Sequence, residues 1–122
     1  MLGYVTLGAN DLPRAVEFYD AIASEFGIKR SLETDRGIVW SEPGAGAGIG
    51  IVKPFDGKAA SVGNGVMAAL AAKDRAQVDR VYKLALSMGG VDEGPPGDRG
   101  GGFYAAYFRD RDGNKLNVYC TG

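Results

Sequence analysis

Residues 4–27 read YVTLGANDLPRAVEFYDAIASEFG, and residues 67–90 read MAALAAKDRAQVDRVYKLALSMGG. When the two stretches are aligned with an offset of 63 positions, six identities fall within the 21 positions from residue 7 to residue 27. Chance alone predicts about one or two. The first copy contributes Leu7, Ala9, Asp11, Tyr19, Ser24 and Gly27, and the second contributes Leu70, Ala72, Asp74, Tyr82, Ser87 and Gly90. This pattern indicates an internal duplication.

Each copy predicts a strand followed by a helix. Asp11 and Asp74 each follow a short apolar run, and an aspartate in that place caps a helix by accepting hydrogen bonds from its first N–H groups. Pro13 in the first turn strengthens the first of these start signals. Apolar residues then recur at helical spacing until Gly27 and Gly90 end the two helices.

The residues after each helix predict three strands. They cover about residues 28–34, 37–41 and 47–53 in the first copy, and a short piece near 91, then 102–109 and 115–120 in the second. Asp112 and Gly113 supply a tight turn between the last two strands. We therefore expect an α+β fold in one domain, residues 1–122, made of two βαβββ modules, 1–57 and 62–122. Paired modules should form a curved mixed sheet with an open trough, where a small molecule can bind.

Composition excludes several functional classes. The 14 basic and 15 acidic residues give a net charge of −1. Such a balance provides no excess of positive charge to attract phosphate groups, so we expect no nucleic-acid partner. The longest apolar run, residues 66–72, is far shorter than the roughly 20 residues that span a bilayer, so we expect no membrane insertion. Cys120 is the only cysteine, and the first residues lack the pattern of a signal peptide, which favours the cytoplasm.

The chain contains no histidine. Histidine is the commonest metal ligand and the only side chain that ordinarily titrates near neutrality. Its absence excludes Ser-His-Asp triads, Cys-His dyads and metal sites that use imidazole. Any catalysis must therefore depend on tyrosine, lysine, arginine or carboxylate side chains.

Two segments carry a family resemblance. Residues 5–12, VTLGANDL, and residues 108–116, FRDRDGNKL, resemble the vicinal oxygen chelate superfamily, which includes glyoxalase I, bleomycin-resistance proteins and dioxygenases. Residues 54–57, PFDG, and 93–97, EGPPG, look like one group of small glyoxalase-like proteins. The resemblance covers almost the whole chain and implies the fold more strongly than any one reaction.

The resemblance also implies where a metal would bind. In metal-dependent members, His, Gln or Glu from two strands of each module hold a divalent ion, and three of these positions fall on Tyr4, Met67 and Asn117. The fourth belongs to the strand at 47–53, which offers neither imidazole nor carboxylate. Phenol, thioether and amide groups compete poorly with water for such ions. We therefore expect no metal and no cofactor.

A set of polar and aromatic residues remains for the trough. Lys115, Asn117 and Tyr119 alternate onto one face of the last strand. The predicted ligand-binding residues are Tyr4, Trp40, Lys53, Met67, Asn117 and Tyr119. Trp40 and Tyr4 could instead be core residues, and Lys53 could instead lie at a solvated strand end. Residues 89–102, with seven glycines and two prolines, are interpreted as a loop over the pocket mouth, with a flexible connection as the alternative.

These expectations favour a metal-free protein that binds a small organic molecule in the trough, similar in kind to bleomycin-resistance proteins. The resemblance further implies a homodimer. One alternative is a glyoxalase-like lyase, isomerase or dioxygenase-type enzyme that uses Tyr4, Lys53 or Tyr119 in place of the metal. A second alternative is an interaction module with a vestigial pocket. The sequence assigns no catalytic residue.

Overall fold

A computed structural model describes residues 1–44 and 46–122. The chain divides into two compact units, Met1–Val62 and Gly63–Gly122, here called the first and second modules. The first contains β1 (Tyr4–Gly8), α1 (Leu12–Glu25), β2 (Arg30–Glu33), β3 (Gly37–Ser41) and β4 (Gly48–Val52). The second contains β5 (Ala68–Ala71), α2 (Arg75–Ser87), β6 (Val91–Asp98), β7 (Phe103–Arg109) and β8 (Lys115–Thr121). The predicted α+β class and the βαβββ order of both modules are confirmed.

Both helices begin at the aspartates that the sequence indicates. The Asp11 carboxylate accepts a hydrogen bond from the Arg14 N–H at 3.2 Å, and the Asp74 carboxylate accepts one from the Gln77 N–H at 2.8 Å. Each bond satisfies a donor that has no partner within its helix. Neither helix, nor any other in the part of the chain that the structure describes, is long and apolar enough to cross a membrane.

The sheet of the first module has the strand order β1-β4-β3-β2. β1 runs parallel to β4, while β3 is antiparallel to both β4 and β2. α1 packs against β3 and β4, and the side chains that fill this interface, among them Phe18, Ile38 and Ile51, are buried. Because strand side chains alternate, the intervening residues lie on the opposite face of the sheet, called here the open face.

The second module repeats this topology with the order β5-β8-β7-β6. β5 is parallel to β8, and β7 is antiparallel to both β8 and β6. Its helix α2 packs against β6, β7 and β8 over a core that includes Val78, Phe108 and Leu116, all fully buried. The duplication in the sequence is therefore a duplication of topology.

The prediction that residues 89–102 form a loop over the pocket mouth is wrong. Most of this segment is strand β6, the edge strand of its sheet, which pairs with β7 from Val91 to Asp98. The pairing shifts register before and after Gly94, so Pro95 and Pro96 lie in an irregular stretch of an edge strand. Proline is tolerated there because an edge or bulged position does not require its missing N–H.

Candidate functional site

The open face of the first module forms the floor of a cavity of about 600 Å³. β1 and β4 pair so that Tyr4, Thr6 and Gly8 stand beside Gly48, Gly50 and Val52 on this face. All the lining residues belong to the first module: Tyr4, Thr6, Gly8, Leu32, Thr34, Arg36, Gly37, Val39, Val52, Lys53, Pro54, Phe55, Asp56, Ala59, Ala60 and Ser61.

Two glycines, Gly8 and Gly50, allow close packing of their neighbours beside this cavity. A Cβ atom on Gly50 would lie 3.3 Å from Cγ2 of Thr6 and 3.3 Å from Cγ2 of Val39, so the two neighbouring side chains leave no ordinary space for one. A Cβ on Gly8 would lie 3.0 Å from that of Ala60. The second contact shows that the chain after β4 passes directly over the end of β1.

That crossing segment, residues 54–61, forms one wall of the cavity and is here called the wall segment. The Ala60 N–H donates to Oδ1 of Asn10 at 2.7 Å, and Nδ2 of Asn10 donates back to the Ala60 carbonyl at 3.5 Å. At its other end the Lys53 N–H donates to the Arg36 carbonyl at 2.8 Å. These bonds hold the wall segment against the sheet at both ends.

Two cations lie where the wall segment begins. Nη2 of Arg36 donates to the carbonyl oxygens of Lys53 and Pro54, each at 3.3 Å, and the guanidinium carbon lies 5.3 Å from the ring centroid of Phe55. The Lys53 ammonium has no hydrogen bond or ion pair with any described residue. The only carboxylate in the lining, Asp56, accepts a hydrogen bond from the Lys58 N–H of its own turn at 2.9 Å.

The structure brings Tyr4 and Lys53 together at this cavity. Tyr4 is 61% exposed, and its hydroxyl has no hydrogen-bond partner among residues 1–44 and 46–122. The alternative of a core tyrosine therefore does not hold for Tyr4. Both side chains contribute polar groups to a lining whose other strand residues are Thr6, Gly8, Leu32, Gly37, Val39 and Val52.

The prediction of Trp40 as a pocket residue is wrong, because its side chain lies on the face of β3 opposite the cavity floor. Its side chain is 2% exposed, its ring centroid lies 5.8 Å from that of Tyr19, and its indole N–H donates to Oδ1 of Asp20 at 2.9 Å. The Asp20 carboxylate also accepts from Nε and Nη2 of Arg30 at 3.0 and 2.5 Å. The hydrogen bonds from Arg30, and then that from Trp40, hold the pKa of Asp20 below its usual range against the opposing effect of burial.

The remaining predicted residues belong to the second module. Asn117 is buried, and its amide donates to the carbonyls of Ala106 and Val118 at 3.1 and 3.4 Å. Tyr119 stacks on Phe103 with ring centroids 5.3 Å apart. Met67 is exposed and directly precedes β5. Asn117 and Tyr119 share the face of their sheet opposite α2, as alternation in β8 predicts.

The side chains at the four positions where the family resemblance implies metal ligands do not fit a divalent ion. Tyr4 offers a phenol, Met67 a thioether and Asn117 an amide whose N–H groups are already bonded to the backbone. On β4, Ile51 is fully buried against α1 and Val52 is an alkyl side chain on the cavity floor. Within the described ranges no group of three or more His, Cys, Asp or Glu side chains could hold a metal.

Sequence reasoning missed Arg36 and Phe55 as cavity residues. The signal that could have found them is the pairing of the two predicted strands at 37–41 and 47–53. Gly37 pairs with Val52, so the residues just beyond that pair, Arg36 and Lys53, must be neighbours, and Phe55 follows within two residues. The register of this pairing was not predicted.

Comparison with known proteins identifies the family. The family profile described as Glyoxalase/Bleomycin resistance protein/Dioxygenase superfamily matches residues 1–118. The crystal structure of a glyoxalase/bleomycin resistance protein from Albidiferax ferrireducens T118 is 34% identical, with a TM-score of 0.92 over 100% of this chain and 99% of that one. No curated protein is significantly similar in sequence.

For more distant structures, the similarity to this chain shows the fold alone. A putative glyoxalase from Bacillus halodurans is 20% identical with a TM-score of 0.80, covering 98% of this chain and 95% of its own. A lactoylglutathione lyase from Agrobacterium tumefaciens is 22% identical with a TM-score of 0.70, covering 98% of this chain and 92% of its own. The profile match and the 34% identical relative show that the chain belongs to the glyoxalase/bleomycin resistance protein/dioxygenase superfamily.

Proposed function

We propose that the chain is a metal-free member of this superfamily that binds a small organic molecule in the first-module cavity. The observation that carries the proposal is the cavity itself. Its volume of about 600 Å³ lies within the range of about 300–1,000 Å³ that is typical of small-molecule sites. It also combines an apolar floor with a few polar groups at its edge, the pattern by which such sites bind and orient a ligand.

The lining suggests how a ligand would lie. Val39 and Val52 offer apolar surface for a flat hydrocarbon or aromatic body. The hydroxyls of Tyr4 and Thr6 stand two residues apart on β1 and line the same cavity, where they can donate to or accept from a carbonyl or hydroxyl group. The donor chemistry at Tyr4, Met67 and Asn117 supports the absence of a metal from this function.

Binding of a neutral aromatic probe tests the proposal. N-phenyl-1-naphthylamine becomes fluorescent in apolar surroundings, so its titration reports occupation of the cavity. A Val39→Phe variant fills part of the floor. If it displaces about 55 Å² of apolar contact, at about 25 cal/mol per Å² the loss is about 1.4 kcal/mol, or about tenfold in affinity.

Val91→Phe is the matched control, because Val91 is 60% exposed on the edge strand of the second module. It should leave the affinity within about twofold. Equal affinities for the wild type and both variants would overturn the cavity as the binding site, and thermal melting checks that both variants fold. Absence of probe binding to the wild type would count against small-molecule binding itself.

A second candidate function, an enzyme, is favoured by one observation. The Tyr4 hydroxyl, without a partner in the described chain, and the Lys53 ammonium line the same cavity and could serve as proton donor or electrophile. In a screen for turnover of bound metabolites, the enzyme reading predicts that Tyr4→Phe lowers the rate but preserves binding. Unchanged turnover in Tyr4→Phe and Lys53→Gln would exclude both groups from catalysis.

We also propose that the chain forms a homodimer, because members of the superfamily with two modules per chain commonly pair. Light scattering coupled to size exclusion distinguishes a 12.8 kDa monomer from a particle of twice that mass. A monomer at all concentrations would overturn this part of the proposal and would leave the cavity unaffected.

A further inference from the structure

We infer that the ligand of the first-module cavity is an organic anion, whose charged group is bound by Arg36 and Lys53 and whose flat apolar part lies against Phe55. The inference rests on the proposed function and adds the chemical class of the ligand. The class includes carboxylates, sulfonates and phosphate esters that carry an aromatic or similarly flat body.

The charge of the lining favours an anion. The lining contains two cations, Arg36 and Lys53, against the single carboxylate of Asp56, which already accepts a hydrogen bond within its own turn. The two cations belong to backbone neighbours, since the Lys53 N–H donates to the Arg36 carbonyl. Two like charges that line one cavity repel each other, and an anion bound by both would convert the repulsion into attraction.

Arg36 is held in place without its charge being neutralised. Its guanidinium donates through Nη2 to two backbone carbonyls and lies over the Phe55 ring, but it forms no salt bridge with any described residue. A guanidinium has five N–H donors, and the groups other than Nη2 donate to no described residue. The side chain therefore keeps a fixed position, with the N–H groups of Nε and Nη1 left to donate to the oxygens of an anion.

Three other arginines of the chain are used differently, whereas Arg99 in the second module resembles Arg36, since its Nη2 donates to the carbonyls of Pro95 and Ala105 and its guanidinium lies over the Tyr107 ring. Arg30, Arg75 and Arg109 each form a salt bridge with a carboxylate, at 2.5, 3.2 and 2.7 Å. Those three cations stabilise the fold locally, whereas the charges of Arg36 and Lys53 have no anionic partner in the described chain. An unpaired pair of cations at the rim of a cavity is an arrangement that a charged ligand would complete.

Phe55 supplies the apolar contact beside these cations. Its side chain is 93% exposed, and the Arg36 guanidinium lies near its ring. Folding leaves such a ring almost wholly in water, so it gains burial only when something covers it. An aromatic ligand body stacked on Phe55 would gain both that burial and a favourable ring contact.

A pair of probes that differ only in charge tests the inference. 8-Anilinonaphthalene-1-sulfonate (ANS) has the skeleton of N-phenyl-1-naphthylamine with an added sulfonate, and both are titrated by fluorescence into the full chain at low and high salt. We expect ANS to bind more tightly than the neutral probe and to lose that advantage as salt rises. Arg36→Gln and Lys53→Gln should each weaken ANS about two- to fivefold, the size expected for an exposed ion pair.

The same two variants should change the affinity of the neutral probe by less than about twofold. Lys29→Gln, which removes an equal charge from the same module outside the cavity lining, should change neither affinity. Phe55→Ala should weaken both probes. If Arg36→Gln does not fold, Lys53→Gln carries the test, since the Lys53 side chain makes no hydrogen bond or ion pair in the described chain.

The outcomes separate this inference from the proposed function. If both probes bind with Val39-sensitive affinity but neither charge variant weakens ANS selectively, the anion inference is overturned and the cavity remains a binding site. If neither probe binds with an affinity that depends on Val39, the proposed function is overturned and the inference with it.

Discussion

Asp20 joins α1 to the sheet of the first module, and its replacement by alanine tests how that module is held together. The carboxylate accepts hydrogen bonds from two nitrogens of Arg30 on β2 and from the indole N–H of Trp40 on β3. Since β2 and β3 also provide one side of the cavity, Asp20 stabilises the site from the opposite face of the sheet. Asp20→Ala removes all three acceptor contacts.

The expected cost follows from the burial of each donor. Trp40 is 2% exposed, so its N–H would be left without an acceptor and out of water, which costs about 1–3 kcal/mol. The Arg30 and Asp20 side chains are 34% and 41% exposed, so their ion pair is screened and contributes only about 0.2–1 kcal/mol. Asp20→Ala should therefore lower the free energy of unfolding by about 2–3 kcal/mol.

A double-mutant cycle with Trp40→Phe isolates the buried contact. Where the indole N–H is already absent, Asp20→Ala should cost only the Arg30 contribution, which leaves a coupling energy of about 1–2 kcal/mol between the two sites. Urea denaturation followed by far-ultraviolet circular dichroism measures all four proteins, since Trp40 is the only tryptophan and fluorescence would be lost. A coupling energy below about 0.3 kcal/mol would refute the placement of Trp40 against Asp20.

The same cycle should depend on pH in a defined direction. The pKa of Asp20 in the folded chain lies below its usual 3.8, chiefly because of the hydrogen bonds from Arg30. Its stabilising contribution is therefore fully present above that usual value and is lost as the pH falls through the lower folded value. The cost of Asp20→Ala should be constant from about pH 7 to pH 5 and shrink below about pH 3.8. A cost that grows on acidification would contradict this sign.

Two further predictions concern the sheet of the first module and use urea denaturation. Ile51→Ala, at a fully buried site against α1, should cost about 2–5 kcal/mol, whereas Val52→Ala on the cavity floor should cost less than about 1 kcal/mol; equal costs would mean that the two faces of β4 are misassigned. Gly37→Ala should cost about 1–3 kcal/mol, because its Cβ would lie 2.7 Å from Cγ1 of Val52 and 2.8 Å from the Ile51 carbonyl oxygen. Gly3→Ala, with no atom within 4 Å of the added Cβ, should cost less than about 0.5 kcal/mol, and a similar loss in both variants would contradict the close approach at Gly37.

Local signals predicted most of the fold. The capping aspartates Asp11 and Asp74, the helical spacing of apolar residues and the glycines after each helix act over a few residues, so they can be read without tertiary structure. The third strand of the first module was predicted at its observed bounds, Gly37–Ser41. Only a short piece of β6, near residue 91, was predicted, because its glycines and prolines disfavour a strand locally, while pairing with β7 at the sheet edge overrides that preference.

The candidate site depended more on contacts between distant residues. Alternation in β3 separates Trp40 from Val39, but it does not say which face meets the helix. The side that faces α1 is the one that carries Trp40, whose indole N–H donates to Asp20, twenty residues earlier in the chain. In the same way, the neighbourhood of Arg36 and Lys53 follows from the register of β3 on β4 and not from either segment alone. Tyr4 and Lys53 were predicted at a pocket because the family resemblance implied which strand positions face the inside of the trough.

The most direct test of the central claim is the mapping of a bound probe by NMR. Amide chemical shifts of the isotopically labelled chain are recorded during titration with N-phenyl-1-naphthylamine. If the first-module cavity binds the probe, the largest shift changes should include the amides of Thr6, Val39 and Val52 on its floor and of Phe55 in its wall segment. Saturating changes that leave these four amides unaffected would contradict the claim.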